Sequence, residues 1–150
     1  MTESLKPYTI LIADDDPEDC MLVADALAQA GLVHRLQTVH DGEALLDYLQ
    51  ACTANGTGES SPRPDLVLLD LNMPRFDGRQ ALAEIKQNEA LRRVPIIVLT
   101  TSSTPTDIVY AYETGASSFI TKPVTFEGWI NLMAMIDQYW FRNVLLPGWE

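Results

Sequence analysis

Residues 65–74 read DLVLLDLNMP: an unbroken apolar run, a bare carboxylate at Asp70, then a proline turn. Four apolar residues in succession, Leu66–Leu69, suit a strand covered on both faces, as the inner strands of a parallel sheet are. Residues 8–16, YTILIADDD, stop the same way, with Asp14, Asp15 and Asp16 crowded at the end of the run. Two such ends, if they meet, would bring several carboxylates together at one place in the fold.

Outward from them, one unit repeats: a short β-branched run, a polar turn, an amphipathic segment. Strands are expected at Tyr8–Ala13, Arg35–Val39, Leu66–Leu69, Ile96–Thr100 and Ser118–Thr121. Asp16-Pro17 reads as a helix cap followed by proline in the first turn, and Gly31 closes that helix. Further helices are expected from about Gly42 to Gln50, over RQALAEIKQN (residues 79–88), from Pro105 to Gly115, and from Thr125 as cap to about Phe141. Asp77-Gly78 reads as a turn. Residues 51–64, ACTANGTGESSPRP, read as a long surface loop of the kind that tolerates insertion. Strict alternation predicts an α/β fold, a doubly wound five-stranded parallel sheet with right-handed crossovers. In the flavodoxin-like strand order 2-1-3-4-5, the first and third strands are neighbours.

The bulk properties are those of one soluble domain: 150 residues, 47% hydrophobic and 21% charged. A formal charge of −11 argues against binding nucleic acid or anionic lipid and fits a cation site or a partner with a basic or apolar face. Cys20, expected on a helix, and Cys52, expected in a loop, suggest neither a disulfide scaffold nor a zinc site. With no signal-like N-terminus and no membrane-length apolar stretch, the expected location is the cytoplasm.

In a parallel sheet every C-terminal strand end emerges along one edge, where ligands bind. Asp14 and Asp15 would then lie beside Asp70, with Thr100 and Lys122 on the same edge. Close carboxylates repel, and at least one pKa rises unless a cation sits among them. Mg²⁺, which takes oxygen ligands and commonly combines one or two carboxylates with phosphate oxygens, fits. A carboxylate held there is a potential nucleophile toward phosphorus, with Lys122 a second positive charge and the Thr100 hydroxyl a donor to a phosphoryl oxygen.

Four stretches, ILIADDDPED, DLVLLDLNMPRFDG, PIIVLTTSS and GASSFITKPVT, together resemble the receiver domains of two-component response regulators. The resemblance runs from about Thr9 to Tyr139. It implies Asp70 as phosphoacceptor, Asp14 and Asp15 as the acidic pair binding Mg²⁺, and the Asn72 backbone carbonyl as a further metal ligand. It also implies Thr100 as the switch hydroxyl, Phe119 as the switch aromatic, Lys122 as the phosphate-contacting lysine, and a cis bond between Lys122 and Pro123. Phosphorylation would reshape the face formed by the fourth helix, fifth strand and fifth helix. The core is expected at about residues 8–141, with a tail at 142–150 and no output domain, so the output would be contact with another chain.

Between Pro123 and Glu150 the only charged side chains are Glu127, Asp137, Arg142 and Glu150, so the last helix is apolar nearly all the way round. An apolar second face is expected to be an interface, the alternative being a tail that folds back over it. The tail resembles that of small stand-alone regulators paired with phytochrome-type histidine kinases, a group that often dimerises through the same face. That implies a sensor histidine kinase as partner and a homodimer. Leu71 and Ser102 depart from the commonly studied regulators of this kind. Three rivals remain: a phosphorelay carrier sharing every site residue, an unphosphorylated scaffold, and an aspartate-nucleophile phosphatase. The last needs an acid where this chain has Asn72.

Overall fold

The computed structural model describes residues 7–54 and 62–149. Five strands alternate with five helices: β1 Thr9–Ala13, α1 Pro17–Gln29, β2 Arg35–Val39, α2 Gly42–Ala54, β3 Leu66–Leu69, α3 Gly78–Gln87, β4 Ile96–Thr100, α4 Pro105–Thr114, β5 Ser118–Thr121 and α5 Phe126–Ile136. All strand pairs are parallel, in the order 2-1-3-4-5.

Strand periodicity divides the core into two layers, because successive side chains point to opposite faces. Ile10, Ile12, Leu66 and Leu68 face α1 and α5, packing with Val23, Leu27, Trp129 and Met133. Leu11, Ala13, Val67 and Leu69 face the other way, against Leu45, Leu82 and Ile85. β1, β3 and β4 are buried along their whole length, whereas β2 and β5, at the sheet edges, are half-covered.

The helix ends follow their sequence signals. Asp16 accepts the Glu18 N–H at 2.9 Å and caps α1, and Gly31 takes the left-handed conformation (φ 74°) that ends it. Asp77-Gly78 is the start of α3 rather than a free turn. The Asp77 carboxylate accepts the Gln80 N–H while the Gln80 side chain accepts the Asp77 N–H, a reciprocal cap that nucleates the helix. α2 runs to Ala54, four residues past its expected end, which puts Cys52 on the helix and in the core instead of in a loop. Its apolar spacing continues from Leu45 and Leu49, a helical period that outweighs the polar residues after it. Of the rest of the expected loop, residues 55–61 lie outside the described residues, and 62–64 carry no helix or strand.

The expected cis bond before Pro123 is absent: no peptide bond among the described residues is cis. The trans form is the lower in energy for a residue–proline bond, and in it the Lys122 amine still reaches the acidic strand ends.

At the opposite edge of the sheet, α5 widens into a π-helical turn at Asp137–Phe141. The turn buries both Asp137 and Phe141. Asp137 binds His34 Nε2 at 2.7 Å and Arg142 Nε at 2.5 Å. His34 Nδ1 accepts the Tyr8 N–H at 3.0 Å, which leaves Nε2 to carry the proton toward Asp137. Tyr8 and Phe141 stack at 4.4 Å. The tail then returns beneath the sheet, where the Trp149 indole N–H donates to the Pro64 carbonyl at 2.9 Å and the Arg63 guanidinium lies 5.5 Å from the ring.

Candidate functional site

The sheet register brings the acidic strand ends level. Ala13 pairs with Leu69, and the Asp70 N–H donates to the Ala13 carbonyl at 2.9 Å, so Asp14 and Asp70 leave adjacent strands side by side. Thr100 pairs with Thr121 across β4 and β5, and the Lys122 N–H donates to the Thr100 carbonyl at 3.0 Å. Asp14, Asp70, Thr100 and Lys122 are all buried, and Asp15 is exposed. Gly78 permits the close packing behind Asp70, since a Cβ there would lie 2.2 Å from the Asp70 carbonyl oxygen.

Lys122 reaches into this edge as a bridge. Its Nζ lies 2.8 Å from Asp14 Oδ2, 2.9 Å from Asp70 Oδ2 and 2.7 Å from Asp19 Oδ2. The other oxygens of the two strand-end carboxylates are held by backbone: Asp14 Oδ1 by the Asp16 N–H at 3.0 Å, Asp70 Oδ1 by the Asn72 N–H at 3.1 Å. Asp14, Asp15 and Asp70 each offer an oxygen within 4.8 Å of the others. Burial pushes the Asp14 carboxyl up to about 6 even though Lys122 pulls it down. Burial would likewise lower the Lys122 pKa, but its hydrogen bonds to the three carboxylates prevail and raise it. The edge therefore carries more acid than its one ammonium balances. Hard, partly dehydrated oxygen donors in that state fit a small divalent cation.

Asp19 went unseen in the sequence because an acid in the first turn of a helix already has an explanation in the helix dipole. The available signal was that α1 begins at the same sheet edge, which turns its first turn toward the lysine.

Thr100 Oγ1 accepts from Asn72 Nδ2 at 3.4 Å and from the Ser102 N–H at 3.3 Å, both long contacts. Phe119 is half-buried and packs on the α2–α3–α4 side of the sheet, its N–H donating to the Tyr112 hydroxyl at 3.1 Å. A second group missed from sequence flanks Thr100. Arg79 Nε and Nη2 bind Asp107 Oδ1 and Oδ2 at 2.9 and 2.8 Å, and the Ser102 hydroxyl donates to Asp107 Oδ2 at 2.6 Å. Arg79 and then Ser102 hold the Asp107 carboxyl down to about 2. This clasp joins the first turns of α3 and α4 to the loop after β4.

Residues 10–135 match the response regulator receiver domain family. The chain belongs to that family. Response regulator Rcp1 of Synechocystis sp. is 40% identical over 145 residues, 97% of either chain. The structure of the Mn²⁺-bound form of Rcp1 superposes with a TM-score of 0.80 at 39% identity, covering 95% of this receiver and 100% of Rcp1. The phosphorylated cyanobacterial phytochrome response regulator RcpA superposes at 0.83 with 35% identity, over 95% and 100% of the two chains. The probable methanogenesis regulatory protein FilR2 of Methanothrix harundinacea is 38% identical over 146 residues, 97% of this receiver and 92% of FilR2. Among the described residues of the receiver, no helix is long and apolar enough to cross a membrane.

Proposed function

We propose that the receiver accepts a phosphoryl group on Asp70 from a sensor histidine kinase, with Mg²⁺ bound, and that this alters the surface formed by α4, β5 and α5. The observation that carries the reading is the Lys122 ammonium set between Asp14 and Asp70, with a third acid, Asp15, close enough to share a cation. The Mn²⁺-bound Rcp1 and phosphorylated RcpA structures support it. The carboxylates of Asp14, Asp15 and Asp70 and the backbone carbonyl of Asn72 would hold the metal. Bound Mg²⁺ supplies charge neutralisation for the phosphoryl oxygens.

The chain's own residues do the rest. An Asp70 oxygen forms the new P–O bond as the P–N bond to the kinase imidazole breaks, and the electron pair leaves with the ring nitrogen. Lys122, held charged by its acidic neighbours, turns to a phosphoryl oxygen. Thr100 gives up its long contacts to Asn72 and Ser102 and donates to another. Phe119 follows into the space that Thr100 vacates. Small acyl or amidophosphates can replace the kinase, and water can later remove the group, so the receiver takes part in its own labelling and release without acting as a turnover enzyme on another substrate.

In this reading the output is contact with another protein, made through the surface that the phosphoryl group alters. Val109 and Tyr112 on α4, Phe126 and Met135 at the two ends of α5, and Tyr139 just beyond it are exposed apolar side chains on the elements that a second copy would contact. RcpA favours a phytochrome-type kinase as the phosphodonor.

Incubation with Mg²⁺ and a small phosphodonor, read by intact mass, tests the reading. One added phosphoryl group on the wild type and none on Asp70→Asn is expected. Equal labelling of both, or no labelling and no beryllofluoride binding, would overturn it.

A further inference from the structure

An ammonium has three N–H donors, and in this structure all three of Lys122 are matched by carboxylates, those of Asp14, Asp19 and Asp70. The three acceptors differ in one respect. Asp14 and Asp70 belong to the group whose oxygens lie close enough to share a metal, and Asp19 does not. Asp19 comes instead from the first turn of α1, and its side chain is four-fifths buried against the lysine. A divalent cation entering among Asp14, Asp15 and Asp70 competes with the ammonium for the charge of two of its three partners, and the two like charges repel at that distance. A lysine with nowhere else to go would resist.

We propose that Asp19 is a positioning residue that gives the Lys122 ammonium a place to withdraw as Asp14 and Asp70 turn to a cation, and so sets how tightly the receiver binds that cation. The inference rests on the cation site proposed above. With Asp19 present, the lysine keeps a short charge-assisted bond throughout, stays protonated beside the metal, and remains near enough to turn back toward a phosphoryl oxygen. Without it, Lys122 stays on Asp14 and Asp70 as a competitor. Asp19 thus acts on the metal through the lysine, not as a ligand.

Calorimetric titration of Mg²⁺ and Mn²⁺ into wild type, Asp19→Asn, Lys122→Met and the double variant tests this without any phosphoryl transfer. Asp19→Asn should weaken binding about tenfold, the scale of one charge-assisted hydrogen bond. Lys122→Met should tighten it. In the Lys122→Met background the Asp19→Asn change should shrink to about twofold or less, a remainder of long-range charge that added salt screens. Asp19→Glu, which keeps the carboxylate, should restore most of the affinity, and thermal unfolding of each variant checks that the fold is retained. An undiminished effect of Asp19→Asn without the lysine, or no effect with it, would overturn the proposal while leaving the cation site standing. A wild type that binds neither ion would overturn both.

Discussion

Two buried clusters of charge sit at opposite edges of the same sheet. At one edge a single carboxylate, Asp137, is held between His34 and Arg142. At the other a single ammonium, Lys122, is surrounded by Asp14, Asp19 and Asp70, with Asp15 beside them. The first is balanced: burial would raise the Asp137 carboxyl, but Arg142 and His34 outweigh it and hold it below the ordinary range. The second is not, and Asp14 is pushed up to about 6 despite its lysine. A balanced buried cluster serves to fix geometry, here the entry of β1 and the π-helical turn. An unbalanced one stores an affinity for whatever positive charge completes it.

That contrast can be broken experimentally. Asp70→Asn should have the largest effect, complete loss of phosphodonor labelling in an intact-mass assay, with an unchanged circular dichroism spectrum. Lys122→Ala should keep cation binding but lose the response of the α4–β5–α5 face. Hydrogen exchange across residues 105–136 with and without beryllofluoride would show it, and a wild-type response in the variant would contradict it. Asp137→Ala should do the reverse. It should cost about 2 kcal/mol in urea unfolding, the scale of lost hydrogen bonds to charged partners, yet leave labelling at Asp70 within error.

The Arg79–Asp107 clasp sharpens the comparison, because it lies near the acidic edge but is balanced. Its carboxyl titrates at about 2 in the fold against 3.8 as the reference value. The lower folded value means the contribution is present above about pH 4 and disappears as pH falls through 2. Arg79 is partly open to solvent, so about 1 kcal/mol is expected after screening. Wild type should therefore be more stable than Asp107→Asn at pH 7, and the gap in unfolding midpoint should narrow below about pH 4 and close only as pH falls below 2.

The five strands and the convergence of their ends were legible because both signals are local. Leu66–Leu69 and Ile96–Thr100 have no polar face, and parallel pairing then fixes which ends meet. Asp19, Asp107 and Asp137 were not legible for a common reason. Each is a helical acid with an ordinary local explanation, and its partner lies on another element: Asp107 meets Arg79 from α3, and Asp137 meets His34 from before β2. The extent of α5's inner face is set by tertiary packing as well. Trp129, Leu132, Met133 and Ile136 are buried in the domain's own core against α1, so the helix is apolar partly because it closes one layer of the sandwich. The cis bond was imported with the resemblance; no local feature of the chain requires it.

The chain's three tryptophans, Trp129, Trp140 and Trp149, all lie beyond β5, and none neighbours Asp70 in sequence. Trp149 rests beneath the sheet with its indole on Pro64 and Arg63 across its ring. Ultraviolet emission from this protein is consequently a signal of the last helix and tail. Trp129 stands in the opening turns of α5 and Trp140 and Trp149 at its far end, so replacing Trp129 with Phe would leave an emission that times the arrival of the event at the far end of the domain, independently of the chemistry that began it.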